Sequence, residues 1–313
     1  MSTLLATDGL TNNAGEQGSV HPVSMSDVIE QDIRDGWKAE LGLTFTQRGD
    51  KTVLKHRTQK GPLAIQRPLY PDGTTCHTYL LHPPGGVVGG DTLDINVTVD
   101  KQAHALITTP GATKFYRSNS KYARQTQTLA VKSGARLEWF PQENIFFPHA
   151  HTRLDTQIHL DKDAQFWGWE MHCFGRPALQ EGFSHGHLIG KTEIFVDGQR
   201  ILTEGLNFNG GNNLMINKGM LSYPLAATLY IKTDDIQLLE LVQSLLCSRT
   251  SQAQKVAGNP RYVLGASQIE SLLVVRALGH WSEDLIDVFS EVWRMTRTHL
   301  TDSTPDNPRI WAT

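Results

Sequence analysis

Cysteine is scarce in this 313-residue chain: Cys76, Cys173 and Cys247 are three in number and far apart. An odd, scattered set excludes a disulfide framework and a C-x-x-C metal site, and points to a reducing, cytoplasmic compartment. No apolar run approaches the roughly 18 residues needed to span a bilayer, so no membrane partner is expected. The opening MSTLLATDGLTNNAGEQGS has no basic residue ahead of its short apolar patch, which argues against a secretory signal. Positive charge is not in excess either. A net charge of −3 supplies no drive toward a polyanion, which excludes nucleic acid as a partner. The main basic run, Lys51, Lys55, His56, Arg57 and Lys60, reads as a solvated hairpin face. Catalytic signatures are missing as well. There is no G-x-S-x-G, no H-E-x-x-H and no Cys–His nucleophile context, so no enzyme is legible.

What is present is alternation. Residues 1–36 are poor in large apolar groups and read as a mobile N-terminal tail with one short helix over 26–35, while 37–313 read as a single domain. From Trp37 the period becomes two. LDINVTVD, for example, puts Leu93, Ile95, Val97 and Val99 on one face. Strands are expected to about residue 231. Three segments, VTVDKQAHALITT (97–109), LAVKSGARLEWF (129–140) and LDKDAQFWGWEM (160–171), share the order strand, polar turn, alanine, strand. Their alanines, Ala103, Ala135 and Ala164, are spaced 32 and 29 residues apart, and IFVDGQRILTE (194–204) is a looser fourth copy. A period near 30 predicts stacked β-layers, either a β-helix-like solenoid or a long sandwich; hairpins recurring without stacking are the alternative. If the units stack, the segments that follow them (108–118, 140–153 and 171–182) lie side by side. That would gather Lys114, Tyr116, Arg117, Gln142, Glu143, His149 and Arg176 on one surface. Helices are expected over 235–247 behind Asp234, and after Ser282 as cap, where Leu285, Phe289, Val292 and Trp293 form a stripe. Between them, 271–279 reads as a buried strand. The predicted class is mainly β, with two or three helices mostly toward the C-terminus.

The densest local feature is LHPPGGVVGGDTL (81–93). Gly85-x-x-x-x-Gly90 has the opening spacing of a phosphate loop, but Asp91-Thr92 follow where Lys-Ser/Thr should stand, and a strand follows where a helix should. The nucleotide reading fails on charge and on context. What remains is either a bulged turn or a shaped loop set by His82 and Asp91, which so much glycine favours. Thirteen histidines include two H-x-H pairs, His149/His151 and His185/His187. On a strand, positions i and i+2 share a face, so each pair could hold nickel or zinc, though no third ligand stands at diagnostic spacing. The alternatives to a non-catalytic protein are a metal-dependent hydrolase using these pairs, or a carbohydrate-binding module using Trp139, Trp167 and Trp169. The apolar neighbours of those tryptophans favour burial.

Together GPLAIQRPLYPDGTTCHTYLLHPPGGVVGGDTL, ITTPGATKFYRS, LEWFPQENIFFP, FGRPALQEGF and the closing NPRIWAT resemble the UreD (UreH) urease accessory protein family, from about Trp37 to Thr313. His82, Pro83, Gly85, Gly86, Gly89, Gly90 and Asp91 match its HPPGG-x-x-GGD element. Thr113, Lys114, Tyr116 and Arg117 match ATK-x-YR. Glu138, Pro141, Gln142 and Glu143 match LEW-x-PQE, and Gly175 and Arg176 match the GR step. His149-Ala-His151 lies outside the pattern. The resemblance implies a β-helix-like body, no catalysis and no tightly bound cofactor. It also implies binding to UreF and through it to the GTPase UreG, docking on apo-urease, and nickel as an ion in transit. On that reading Asp91, Glu138, Glu143 and Glu170 are candidate transit groups along a hydrated route, because weak oxygen ligands exchange quickly where imidazole or thiolate would trap the ion.

Overall fold

The computed structural model describes residues 36–257 and 260–312; the helix expected over 26–35 and all but the last residue of the expected tail lie outside the described residues. The first strands are Lys38–Arg48 (β1), Lys51–Lys60 (β2), Ala64–Ile65 (β3), Cys76–Leu81 (β4), Thr92–Val99 (β5) and His104–Thr108 (β6). Next come Thr113–Phe115 (β7), Ala123–Val131 (β8), Arg136–Phe140 (β9), Asn144–Phe146 (β10), Ala150–Leu160 (β11) and Gln165–Arg176 (β12). The last are Glu181–Gly182 (β13), Gly186–Val196 (β14), Gln199–Asn209 (β15), Leu225–Lys232 (β16), Tyr262–Ile269 (β17) and Leu272–Gly279 (β18). Two helices, Ile236–Ala257 (α1) and Ser282–Thr301 (α2), lie toward the C-terminus.

Two sheets face each other. The first runs β15-β14-β11-β8-β5-β1-β2, and the second β17-β18-β16-β12-β9-β6-β4-β3. The chain leaves the first sheet from β5, β8 and β11 in turn, rounds a corner, and enters the second as β6, β9 and β12. Alanine sits at each corner. Ala103, Ala135 and Ala164 are buried, and the backbone ladders them: Arg136 N–H donates to Ala103 O (2.9 Å) and Gln165 N–H to Ala135 O (2.9 Å). A longer side chain there would collide with the next layer, so the repeat carries alanine. The looser fourth copy does not round the corner. β14 and β15 pair antiparallel within the first sheet through a tight turn at Asp197 and Gly198, both at positive φ.

A short third side closes each layer. Val87 bridges Phe115 in parallel, Phe115 pairs with Phe146, and Phe146 with Phe174. All four are buried, and the Phe115 and Phe146 rings stack at 5.2 Å. The glycine-rich loop is therefore the first rung of this side, and the three segments after the repeat units do lie side by side.

One core fills the space between the sheets. A second lies on the outer face of the second sheet, where Leu238, Val242 and Leu246 of α1 and Leu285, Phe289, Val292 and Trp293 of α2 pack. β18 forms where a buried strand was expected. Helix α1 runs ten residues past the expected 247, to Ala257. Its start is bonded by Asp235, whose carboxylate accepts the Gln237 N–H (2.9 Å), and not by Asp234. Ser282 is likewise not a cap: it is the first residue of α2, and its hydroxyl is taken by the Glu143 carboxylate (3.1 Å). The basic run lies on β2, an exposed edge strand, where charge discourages pairing with other chains.

Candidate functional site

The glycine-rich loop is shaped by what presses on it. A Cβ on Gly86 would stand 2.2 Å from the Tyr116 ring, and Gly90 takes φ +95° at the entry to β5. Asp91 clasps the loop, accepting the Trp37 N–H (2.9 Å) and the Val88 N–H (3.0 Å). The Tyr116 hydroxyl donates to Gly85 O (3.3 Å), and its ring meets Phe147 edge-on at 4.8 Å. The Arg176 guanidinium covers the other ring contact, 4.7 Å from the Phe147 centroid, and is paired with Glu181. Lys114 and Arg117 are exposed on this side. Tyr116, Phe147 and Arg176 come together on this side, while Glu143 turns away toward α2.

Behind the loop lies a cavity of about 500 Å³, lined among others by His82, Gly86, Lys114, Gln125 and Gln127. Burial holds the His82 imidazole below its ordinary pKa, against the pull of Asp91. A second cavity of about 220 Å³ adjoins it, and Gln127, Trp139, Pro141 and Asn144 line both. Strand register explains its polarity. Gln127, Thr156, Thr192 and Glu204 are partners across β8, β11, β14 and β15, so they form one polar rung on the inner face of the first sheet. Glu170 meets this rung from the second sheet. The Thr156 and Thr192 hydroxyls donate to its two oxygens at 2.8 and 2.7 Å. Desolvation between the sheets nevertheless raises its pKa above the carboxylate norm. Tyr230 donates to Glu204 (2.8 Å), which also pairs with Arg276. His172, two residues from Glu170, lines the same cavity with its Nδ1 buried and unbonded; burial lowers its pKa to about 4.

The fold does not bring the four expected carboxylates together. Glu138 lies between Leu137 and Trp139, which face the inter-sheet core, so it points to the other side. There, 0% exposed, it accepts the Trp293 indole N–H (2.9 Å) and faces Arg297 (3.2 Å). Glu143 meets Ser282, and burial raises its pKa. Asp91 braces the loop. Only Glu170 lines the interior space. Gln142 borders the second cavity, and its N–H donates to Thr109 Oγ1 (2.9 Å).

The histidines meet across strands instead of along them. The His149 and His185 rings stack at 4.7 Å, and His151 is the register partner of His187. The Tyr122 hydroxyl bonds His187 Nδ1. Among the described residues, no three His, Cys, Asp or Glu side chains are grouped so as to hold a metal ion. Trp139, Trp167 and Trp169 are buried and offer no stacking platform for a sugar. No helix among the described residues is long and apolar enough to cross a membrane.

The family described as UreD urease accessory protein matches residues 38–312, nearly every described position. The chain belongs to the UreD family. Its similarity to individual members agrees. A urease accessory protein UreD of Aliivibrio fischeri strain MJ11 is 48% identical over 278 residues, covering 89% of this chain and 97% of that one. The UreD of Vibrio parahaemolyticus is 46% identical over 278 residues, with the same two coverages. That of Escherichia coli is 41% identical over 280 residues, 89% of this chain and 98% of that one. The HPPGG-x-x-GGD and ATK-x-YR elements fall on the third side and the first cavity. The rung does not belong to any of them; its signal was the inward pair Gln125 and Gln127 in ARQTQTLAV, polar where the alternation calls for apolar residues.

Proposed function

We propose that this chain is a non-catalytic, cytoplasmic scaffold that couples a UreF–UreG GTPase complex to apo-urease, and that its interior gives nickel a hydrated route during insertion. Membership of an accessory-protein family supports the first half. One observation carries the second: Glu170, a carboxylate between the sheets, is met by the Thr156 and Thr192 hydroxyls of a rung that also holds Gln127 and Glu204, beside two adjoining cavities. A stable core has little use for such a group, since burying a carboxylate costs several kcal/mol or more unless something repays it. A passing divalent cation is such a partner, and it would displace the proton that burial favours. Nickel here is cargo. The loop surface around Gly85, Lys114, Tyr116, Arg117 and Arg176 is the natural contact face at the mouth of the first cavity.

The test is to express a urease operon with Glu170→Gln, and separately Gln127→Leu, in this chain. Urease nickel content and activity should both fall, while UreF, UreG and urease still co-purify with the tagged protein. Full nickel content in both variants would remove the interior route. Loss of co-purification from the wild-type chain would remove the scaffold. The rival hydrolase is checked by assaying the purified chain with nickel or zinc on ester, phosphate and glycoside panels, where no turnover is expected.

A further inference from the structure

We propose that His149 and His185 form a surface site for a divalent first-row transition ion of the nickel, copper or zinc class, bound by two cis imidazoles and water. The site does not depend on the interior route. Its parts stand one residue ahead of the neighbouring parallel strands β11 and β14, and the backbone fixes them. His149 sits at φ +67°, uncommon for a residue other than glycine. It is held there on both sides: its N–H donates to His185 O (2.8 Å), and its carbonyl accepts the Ser118 N–H (3.0 Å). An over-determined, unfavourable backbone conformation that serves to place one imidazole over another is the kind of local strain that marks functional positions.

The rings are 3° from parallel with centroids 4.7 Å apart, and both residues are exposed. Among the described residues, no hydrogen bond reaches either ring nitrogen of His149. His185 bonds through Nδ1 to Ser184 Oγ (3.1 Å), and no described residue bonds its Nε2. Two nitrogens bound to one ion at about 2.1 Å lie about 3.0–3.4 Å apart with the ion in the plane of each ring, so both rings must turn about their Cβ–Cγ bonds out of the stack, a rotation open to two exposed side chains. His151 stands behind the pair, its Nδ1 3.3 Å from His149 O. That bond fixes the His151 tautomer with Nε2 as the lone pair, available to the outer shell. His187 takes no part, because Tyr122 and Asn207 occupy both of its nitrogens. Imidazole ligands without a carboxylate select nickel, copper or zinc over magnesium or calcium.

The full chain should be dialysed to equilibrium against nickel chloride or zinc chloride at neutral pH, as wild type and as H149N, H185Q and the double variant. Asparagine tolerates the left-handed backbone at 149, and far-UV circular dichroism confirms that each variant keeps its fold. Each single variant should bind the ion at least about tenfold more weakly at this site, and the double variant should lose one bound equivalent. In the wild type, nickel should protect His149 and His185, but not exposed His56, from diethyl pyrocarbonate as mapped by mass spectrometry. A double variant with unchanged stoichiometry and affinity would overturn the site. So would equal labelling of the pair with and without metal, which would leave the stacked rings as two neutral imidazoles in contact.

Discussion

At the scale of single residues, two glutamates on neighbouring strands of one sheet have opposite roles. Glu138 is matched to Arg297 and Trp293, and it fastens helix α2 to the sheet. Glu138→Ala strands the buried guanidinium and should cost about 3–5 kcal/mol, read from the urea midpoint. Glu138→Gln keeps an acceptor for the indole and should cost less. Among the described residues Glu170 has hydroxyl partners but no paired cation, and burial raises its pKa. The folded state therefore holds a proton that the unfolded chain has released, so stability falls as pH rises from the ordinary carboxylate pKa toward the raised one. Glu170→Gln should flatten that fall and leave the chain more stable at neutral pH, seen as a thermal midpoint that changes less with pH. A variant that is more stable but delivers less nickel would show that the carboxylate is kept for something other than folding.

Among elements, the corner alanines were legible and the roles of the carboxylates were not. The repeat appears in the sequence because every layer meets the same steric limit at Ala103, Ala135 and Ala164. Ala135→Leu should overpack that corner and cost about 1–3 kcal/mol by chemical denaturation, whereas a change at exposed Gln199, on the hairpin that never rounds it, should be nearly neutral. Glu138 was misplaced for a physical reason. Every residue of β9, RLEWF, is buried, because one face meets the other sheet and the other meets α2. A strand covered on both sides loses the alternation that would reveal which way a side chain points. Spacing along a strand likewise says nothing of the neighbour in register, so the contact of His149 with His185 is not legible in H-x-H.

For the molecule as a whole, the apolar stripe of α2 is spent on packing. Leu285, Val288, Phe289, Val292 and Trp293 are all fully buried in the outer core, and Trp311 adds its ring to Phe140, Trp169 and Trp293. Removing residues 282–313 should abolish cooperative unfolding, so loss of partner binding by that truncation would report the fold and not a docking face. The layered plan and the C-terminal helices were legible from sequence, since periodicity survives wherever one side of an element meets water. The inner rung was not, since it exists only once four strands are aligned. That alignment sets a ruler. Gln127, Thr156, Thr192 and Glu204 advance by one strand each, about 4.8 Å per step, so the polar line spans roughly 14 Å. Its reach can change only in whole layers, and a chain with one more or one fewer coil would carry a polar line longer or shorter by one such step.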